Sequence, residues 1–164
     1  MATLAVVVKI FILFGVVAIV VVYIGTIIQG APYLPTRMSV VNTIISLAQP
    51  HAKLVAVDLG SGDGRIVIAL AKLGLEAHGY EINPFLVWRS RQNIKALGLQ
   101  TRAFIYWKNF WKIDFRQFDI VIIYGIPYIM DRLGRKLHRE LKPGARVISN
   151  AFRFKKWQET KKAG

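Results

Sequence analysis

The stretch Asp58-Leu59-Gly60-Ser61-Gly62-Asp63-Gly64-Arg65 constrains the fold of this chain more than any other. It follows an apolar run, Leu54-Val55-Ala56-Val57, that reads as a buried strand, and it leads into Ile66 to Leu73, which reads as a helix. Strand, glycine turn and helix together build a nucleotide pocket. The first glycine permits the tight turn. The next ones let backbone approach a ligand with no Cβ in the way. The helix N-terminus offers unpaired N–H groups to an anionic group.

The spacing selects the ligand. A dinucleotide fingerprint, G-x-G-x-x-G/A, would put its third small residue at Arg65, which is far too large. The chain has G-x-G-x-G, with an acid two residues before the first glycine. A second strand, Glu76 to Glu81, ends on an acid about 20 residues after the turn, where a carboxylate can accept from both ribose hydroxyls. Asn83-Pro84 then starts a helix, since Asn is a good N-cap and Pro a good first helical residue. That helix should run to about Leu97, with Gly98 as its C-cap. Asp58 and Glu81 could also be ordinary strand-end acids, but the glycines, the acids and the spacing agree. This pattern resembles motif I of the seven-strand (class I) S-adenosylmethionine-dependent methyltransferases.

Three more strands are expected, at Thr101 to Trp107, Phe118 to Tyr124 and Ala145 to Phe152. The run Ile120-Val121-Ile122-Ile123 suits a strand buried on both faces. Ile129, Leu133, Leu137 and Leu141 form a four-residue helical stripe that reads as core, closed by Lys142-Pro143-Gly144. Alternating strands and helices predict an α/β fold with a doubly wound, mostly parallel Rossmann-like sheet. The ligand then belongs at the carboxyl ends of the strands.

Ahead of this core, Ile10 to Ile28 is an uncharged run long enough to span a bilayer as a helix. A cleaved signal peptide is the competing reading, with Lys9 before the run and small residues near Gly30-Ala31. A signal's apolar region is usually shorter, however, and a methyltransferase needs its cofactor, which is made in the cytosol. Of 23 Lys and Arg, Lys9 alone precedes the run, so 22 face nine acids and the remainder carries about +13. Basic flanks favour the cytoplasm. The expectation is therefore a single N-terminal membrane span with the catalytic domain on the cytoplasmic side. The same charge would draw the domain to anionic headgroups or to nucleic acid, or would simply serve as a solvated surface. The expected divisions are an anchor at 1–30, a strap and pre-core helix at 31–50, a cofactor-binding core at 51–157 and a polar tail at 158–164. The pre-core helix should carry Val40, Val41, Ile44, Ile45, Leu47 and Ala48 on one side and stop before Pro50. There is no cysteine, and His51, His78 and His138 lack metal-ligand spacing, so no metal site is expected.

A membrane segment, P-Y-L-P-T, D-L-G-S-G-D-G-R, G-Y-E-x-N-P and Y-G-I-P occur in one order. That order resembles the small membrane-anchored protein-lysine methyltransferases. Eukaryotic members act in mitochondria on the c-ring protein of ATP synthase or the adenine nucleotide carrier, and related prokaryotic proteins share the layout. The resemblance implies S-adenosylmethionine as cofactor and an integral membrane protein as substrate, at the mitochondrial inner membrane in a eukaryote. It implies that Asp58, Gly60, Ser61, Gly62 and Gly64 form the cofactor turn, that Glu81 holds the ribose with Asn83 nearby, and that Asn109 and Phe110 border the adenine. Tyr33 and Thr36 would close over the methionine end, although residues 31–37 also read as a plain linker. Lys108-Asn109 departs from the family pattern in having no acid to accept from the adenine amine.

Tyr124-Gly125-Ile126-Pro127-Tyr128 stands where class I enzymes meet their acceptor. Enzymes that methylate nucleic-acid amines carry N/D-P-P-Y/F there, and Gly125 cannot accept through a side chain. That counts against a flipped-base mechanism and for a lysine pocket lined by Tyr124, Pro127 and Tyr128. Both tyrosines could equally be packing aromatics. Trp107, Phe110, Trp111, Phe115 and Phe118 could form an adenine wall, a bilayer-facing surface or plain core. The resemblance also implies a final β6–β7 hairpin. The residues after Trp157 are a short polar tail that cannot form it, so the fifth strand is expected to have a free edge.

Overall fold

Long uninterrupted apolar runs and alternating helices produce two separate compact units, residues 1–32 and 33–164, in a computed structural model. The structure describes residues 2–29, 34–51 and 53–162. The first unit is one helix, α1 (Ala2–Gln29). By length and composition its window Leu4–Val21 can cross a membrane, and none of that window is buried within the protein. The uncharged run begins at Ile10, but the helix starts earlier, so Lys9 falls inside it.

The second unit opens with α2 (Met38–Ala48), then alternates β1 (Val55–Leu59), α3 (Arg65–Lys72), β2 (Glu76–Glu81), α4 (Pro84–Ala96), β3 (Ala103–Trp107), β4 (Ile120–Tyr124), α5 (Pro127–Glu140) and β5 (Arg146–Asn150). A short 3-10 turn, Phe110–Lys112, follows β3. The five strands are all parallel, in the order β3-β2-β1-β4-β5. The direction of winding reverses between β1 and β4, which creates the crevice where such sheets hold ligands.

Period-two alternation sends neighbouring residues to opposite faces. On one face Ala56, Ile120 and Ile122 meet Val41 and Ile44 of α2, Val67 and Leu70 of α3, and Val87 and Ile94 of α4. On the other, Val57, Val121 and Ile123 meet Ile129, Leu133 and Leu137 of α5, together with Phe110, Phe115 and Phe118. The predicted stripe on α5 is therefore core, with Leu141 packed at its edge.

Strand ends are where expectation and structure differ. β3 begins two residues late because Arg102 N–H turns back to the Leu99 carbonyl at 3.0 Å. β5 stops at Asn150 because Ala151 takes a left-handed conformation (φ 78°). Among the described residues no strand follows β5. At the start of β4, Asp119 accepts from Val55 N–H at 2.9 Å and pairs with Lys142 at 2.6 Å, stitching the β1, β4 and β5 ends together.

Candidate active site

The site grows from the end of β1. Asp58 and Leu59 close the strand, and the chain then turns through Gly60 (φ 80°), Gly62 (φ 54°) and Gly64 (φ 82°). A Cβ at Gly60 would meet nothing within 4 Å, so one side of the turn is open to a ligand. Gly64 is glycine for a different reason: a Cβ there would sit 2.9 Å from the Cβ of Ser90, where α4 packs against the turn. Gly60 and Ser61 N–H both point to the Tyr80 carbonyl, at 2.9 and 3.2 Å, which docks the turn on β2. Gly79 of β2 leaves the room for Ser61, whose Oγ would lie 2.6 Å from a Cβ at that position.

Glu81 ends β2 and is buried. One carboxylate oxygen accepts from Gly62 N–H at 3.0 Å; the other accepts from Ile82 and Asn83 N–H, both at 2.8 Å. A carboxylate has about four acceptor positions, so three N–H donors leave capacity for a hydroxyl. Asn83 caps α4 through its side chain, accepting from Phe85 N–H at 3.0 Å and Leu86 N–H at 3.4 Å, with Pro84 at the first helical position. The Asn-Pro start expected from the sequence is thus the local structure.

Asp58 is the unusual group. Burial, followed by the charges of Glu81 and Asp63, raises its pKa from 3.8 to about 7. A dry carboxyl among acids is poised for a cation. Ser61 Oγ is buried with no hydrogen-bond partner among the described residues. These observations fit S-adenosylmethionine. Glu81 can take a ribose hydroxyl, the open side of Gly60 admits the ligand, and Asp58 can take a positive charge.

No periodic or motif signal in the sequence marks the clamp beside this cradle. Arg65 donates to both carboxylate oxygens of Asp63, at 2.9 and 2.6 Å, and to the Thr36 carbonyl at 2.6 Å. The Asp63 carbonyl in turn accepts from the Asn93 side chain at 3.1 Å. Thr36 is thus tied to the cofactor turn through its backbone. Tyr33, its expected companion, lies outside the described residues. The only sequence hint was Arg65 standing where a dinucleotide fold wants a small residue.

Asn109 follows β3 and caps the 3-10 turn by accepting from Trp111 N–H at 3.0 Å. Phe110 is buried against the core, tilted on Trp111 at 5.1 Å. Phe115 and Phe118 are core too, whereas Trp107 is exposed. Tyr124 ends β4 half-buried, and Pro127 and Tyr128 begin α5 exposed. Gly125 between them packs tightly against Met130, whose Sδ would have to move to admit a Cβ. Tyr124, Pro127 and Tyr128 therefore stand at the carboxyl end of β4, next to β1 and its glycine turn. Among the described residues no cluster of three metal-ligating side chains occurs.

A five-stranded parallel sheet with this acid–glycine turn and a buried acid at the end of β2 defines a class I S-adenosylmethionine-dependent methyltransferase fold. A solved structure described as an RNA methyltransferase from Salinibacter ruber, in complex with S-adenosyl-L-homocysteine, matches with a TM-score of 0.77 and 32% identity, covering 80% of this chain and 86% of that one. The chain belongs to the family described as the ANTKMT methyltransferase domain, whose model matches residues 58–161. It is 44% identical over 126 residues to the ATP synthase C-subunit lysine N-methyltransferase of Rattus norvegicus, covering 77% of this chain and 58% of that protein. It is 36% identical over 132 residues to a protein-lysine N-methyltransferase of Saccharolobus islandicus, covering 79% of this chain and 82% of that protein. The chain thus spans little more than half the length of the rat relative.

Proposed function

We propose that this protein is a membrane-anchored methyltransferase that N-methylates a lysine side chain of an integral membrane protein. The observation that carries the reading is the Asp58–Gly60–Glu81 cradle at the carboxyl ends of β1 and β2, in a chain akin to protein-lysine N-methyltransferases. The apolar window of α1 supports the anchor, and the excess of cations after it supports a cytoplasmic domain. For a eukaryotic protein this reading means the inner mitochondrial membrane. Tethering to the bilayer would raise the effective concentration of a membrane substrate.

Bound S-adenosylmethionine would supply a methyl group from its sulfonium: the amine lone pair would form the N–C bond as the C–S bond breaks, the positive charge passing from sulfur to nitrogen. Everything else falls to the residues of this chain. Glu81 would hold the ribose, with the Asn83 cap fixing the backbone beneath it. Ionised Asp58 would offset the cofactor's positive charge. Asn109 would border the adenine, with Phe110 supporting that turn from the core. Ser61, Gly62 and Gly64 would shape the turn, while Tyr33 and Thr36 close the methionine end. Tyr124, Pro127 and Tyr128 would line the acceptor pocket. The acceptor ammonium must lose a proton first, and a poorly solvated pocket lowers its pKa. The remaining work is holding the neutral amine in line with the methyl, so positioning supplies much of the rate.

The test is to incubate the purified protein with methyl-labelled S-adenosylmethionine and membranes from a strain lacking it. Label in a protease-sensitive, RNase-resistant membrane band, lost in Glu81→Ala, is the expected result. RNA is the second acceptor worth testing, because the Salinibacter ruber relative is described as an RNA methyltransferase and the chain carries +14. RNase-sensitive label would replace the lysine reading with that one. Label in the organic phase would indicate a lipid acceptor instead. Cofactor binding with no label in any fraction would overturn catalysis.

A further inference from the structure

The exposed apolar side chains of the second unit are not scattered. Nine large ones are described, and six belong to one end of the sheet: Leu34, Met38, Phe85, Trp88, Trp107 and Tyr128. Each keeps 57% to 67% of its surface exposed. Phe85 and Trp88 are in the first turns of α4, Tyr128 is at the start of α5, and Trp107 is the last residue of β3. In a parallel sheet those positions all lie at the carboxyl edge. Leu34 and Met38 join them because α2 runs the opposite way to the strands. Its start is tied to α3 through the Thr36 carbonyl, and Arg146 at the start of β5 reaches the Gln49 carbonyl at its far end, 3.0 Å away. Tyr106 is next along β3, while Leu73 and Leu97 follow the ends of α3 and α4 at the opposite edge.

The aromatics are held, not loose. Phe85 and Trp88 pair with centroids 5.9 Å apart, and Trp107 Nε1 donates to the Ile82 carbonyl at 2.9 Å. Exposed cations punctuate the rim at Arg37, Arg89 and Lys108. Asp58, Asp63 and Glu81 are buried within the cradle, and Asp131, one turn into α5, is the exposed acid closest in sequence. An apolar rim rich in Trp and Tyr, set among cations, matches the headgroup level of an anionic bilayer. Aromatics and cations alone would also suit single-stranded RNA. Leu34 and Met38 have no aromatic face for a base and favour lipid. The chain also enters the domain at this edge, directly after the apolar segment.

We propose that this rim seats in the interface of an anionic membrane and turns the mouth of the cofactor site toward the lipid surface. A lysine at headgroup height then comes within reach, while one far from the bilayer does not. The inference deepens the membrane-anchor reading and rests on it.

Four tryptophans make the test direct. The full chain is reconstituted in vesicles of phosphatidylcholine and phosphatidylglycerol, with and without bromine on the acyl chains near the headgroup. One variant keeps only the rim pair (Trp111→Phe with Trp157→Phe); the other keeps only Trp111 and Trp157 (Trp88→Phe with Trp107→Phe). S-Adenosylhomocysteine binding is measured on both to establish folding. Brominated lipid should quench the rim pair more strongly than the other, whose Trp111 is partly covered by Phe110 and Arg132. Should the first variant fail to fold, loss of wild-type quenching in a Trp88→Gln, Trp107→Gln chain carries the same information, since both sites are exposed. Stable reconstitution without quenching of the rim pair overturns the rim proposal and leaves the anchor standing. Failure to stay with vesicles after high-salt washing overturns the anchor itself, and the rim proposal with it. Quenching of the rim pair by oligoribonucleotide but not by brominated lipid assigns the surface to RNA and overturns the proposal.

Discussion

Replacing Asp58 by Asn should make the protein more stable and less able to bind its cofactor. The carboxyl is buried, and burial together with Glu81 and Asp63 lifts its pKa from 3.8 to about 7. Between those values the folded protein holds a proton that the unfolded chain has released. Stability must therefore fall as pH rises through that window, by about 1.4 kcal/mol per pH unit, and level off above it. The accumulated cost at pH 8 is on the order of 4 kcal/mol, large against the usual 5–15 kcal/mol of net stability. Asn keeps the shape and never ionises, so the variant should lack this slope and gain up to that amount at pH 8. Every other titrating group is common to both proteins, so the difference reports Asp58 together with its coupling to Glu81 and Asp63. Urea unfolding of the full chain in detergent, at intervals from pH 4.5 to 8, measures it. Binding of S-adenosylhomocysteine supplies the other half. Its ammonium should favour ionised Asp58, so wild-type affinity rises as pH passes through about 7 and the variant stays weak and flat. Parallel stability profiles for the two proteins, or an Asn variant less stable at pH 8, would refute the reasoning.

Gly79→Ala should cost about 1–3 kcal/mol and weaken cofactor binding, because the new Cβ meets Ser61 Oγ and Ile105 at 2.6 Å; chemical denaturation and calorimetric titration read both effects. Arg65→Ala removes the bonds to Asp63 and Thr36, so limited proteolysis should cut the strap around Pro35 faster while the helical circular-dichroism signal is kept. Burial alone would raise the Asp119 pKa, but its hydrogen bonds from Lys142 and Val55 N–H and the nearby Arg146 hold it below the ordinary carboxylate range. Asp119→Ala should cost about 1–3 kcal/mol at neutral pH, and the gap to wild type should close as pH falls below the carboxylate range, since that stabilisation is lost on protonation.

Much of the fold was legible in local chemistry. A strand buried on both faces must be apolar throughout, which is why Ile120 to Ile123 announced β4. A tight turn that opens backbone to a ligand needs positive φ, which is why Gly60 and Gly62 announced the cradle. Asn83-Pro84 is a start signal that acts within a few residues, and the stripe on α5 has its own period. Strand ends were less legible, since turns at Arg102 and Ala151 decided them.

Local sequence was enough for the order of elements, the acids that flank the glycine turn and the presence of a membrane-length apolar segment. Only the tertiary structure decided that Arg65 joins Asp63 to Thr36, 29 positions away, and that Gly79 makes room for Ser61. It alone placed Phe110 in the core, and it alone gathered Leu34, Phe85, Trp88, Trp107 and Tyr128 at one edge. The reason is physical. Periodicity and turn chemistry act over one or two turns of chain, so they leave a mark in the sequence. Contacts between distant segments depend on how the layers dock, and a lone arginine or an exposed tryptophan has no period to reveal its partner.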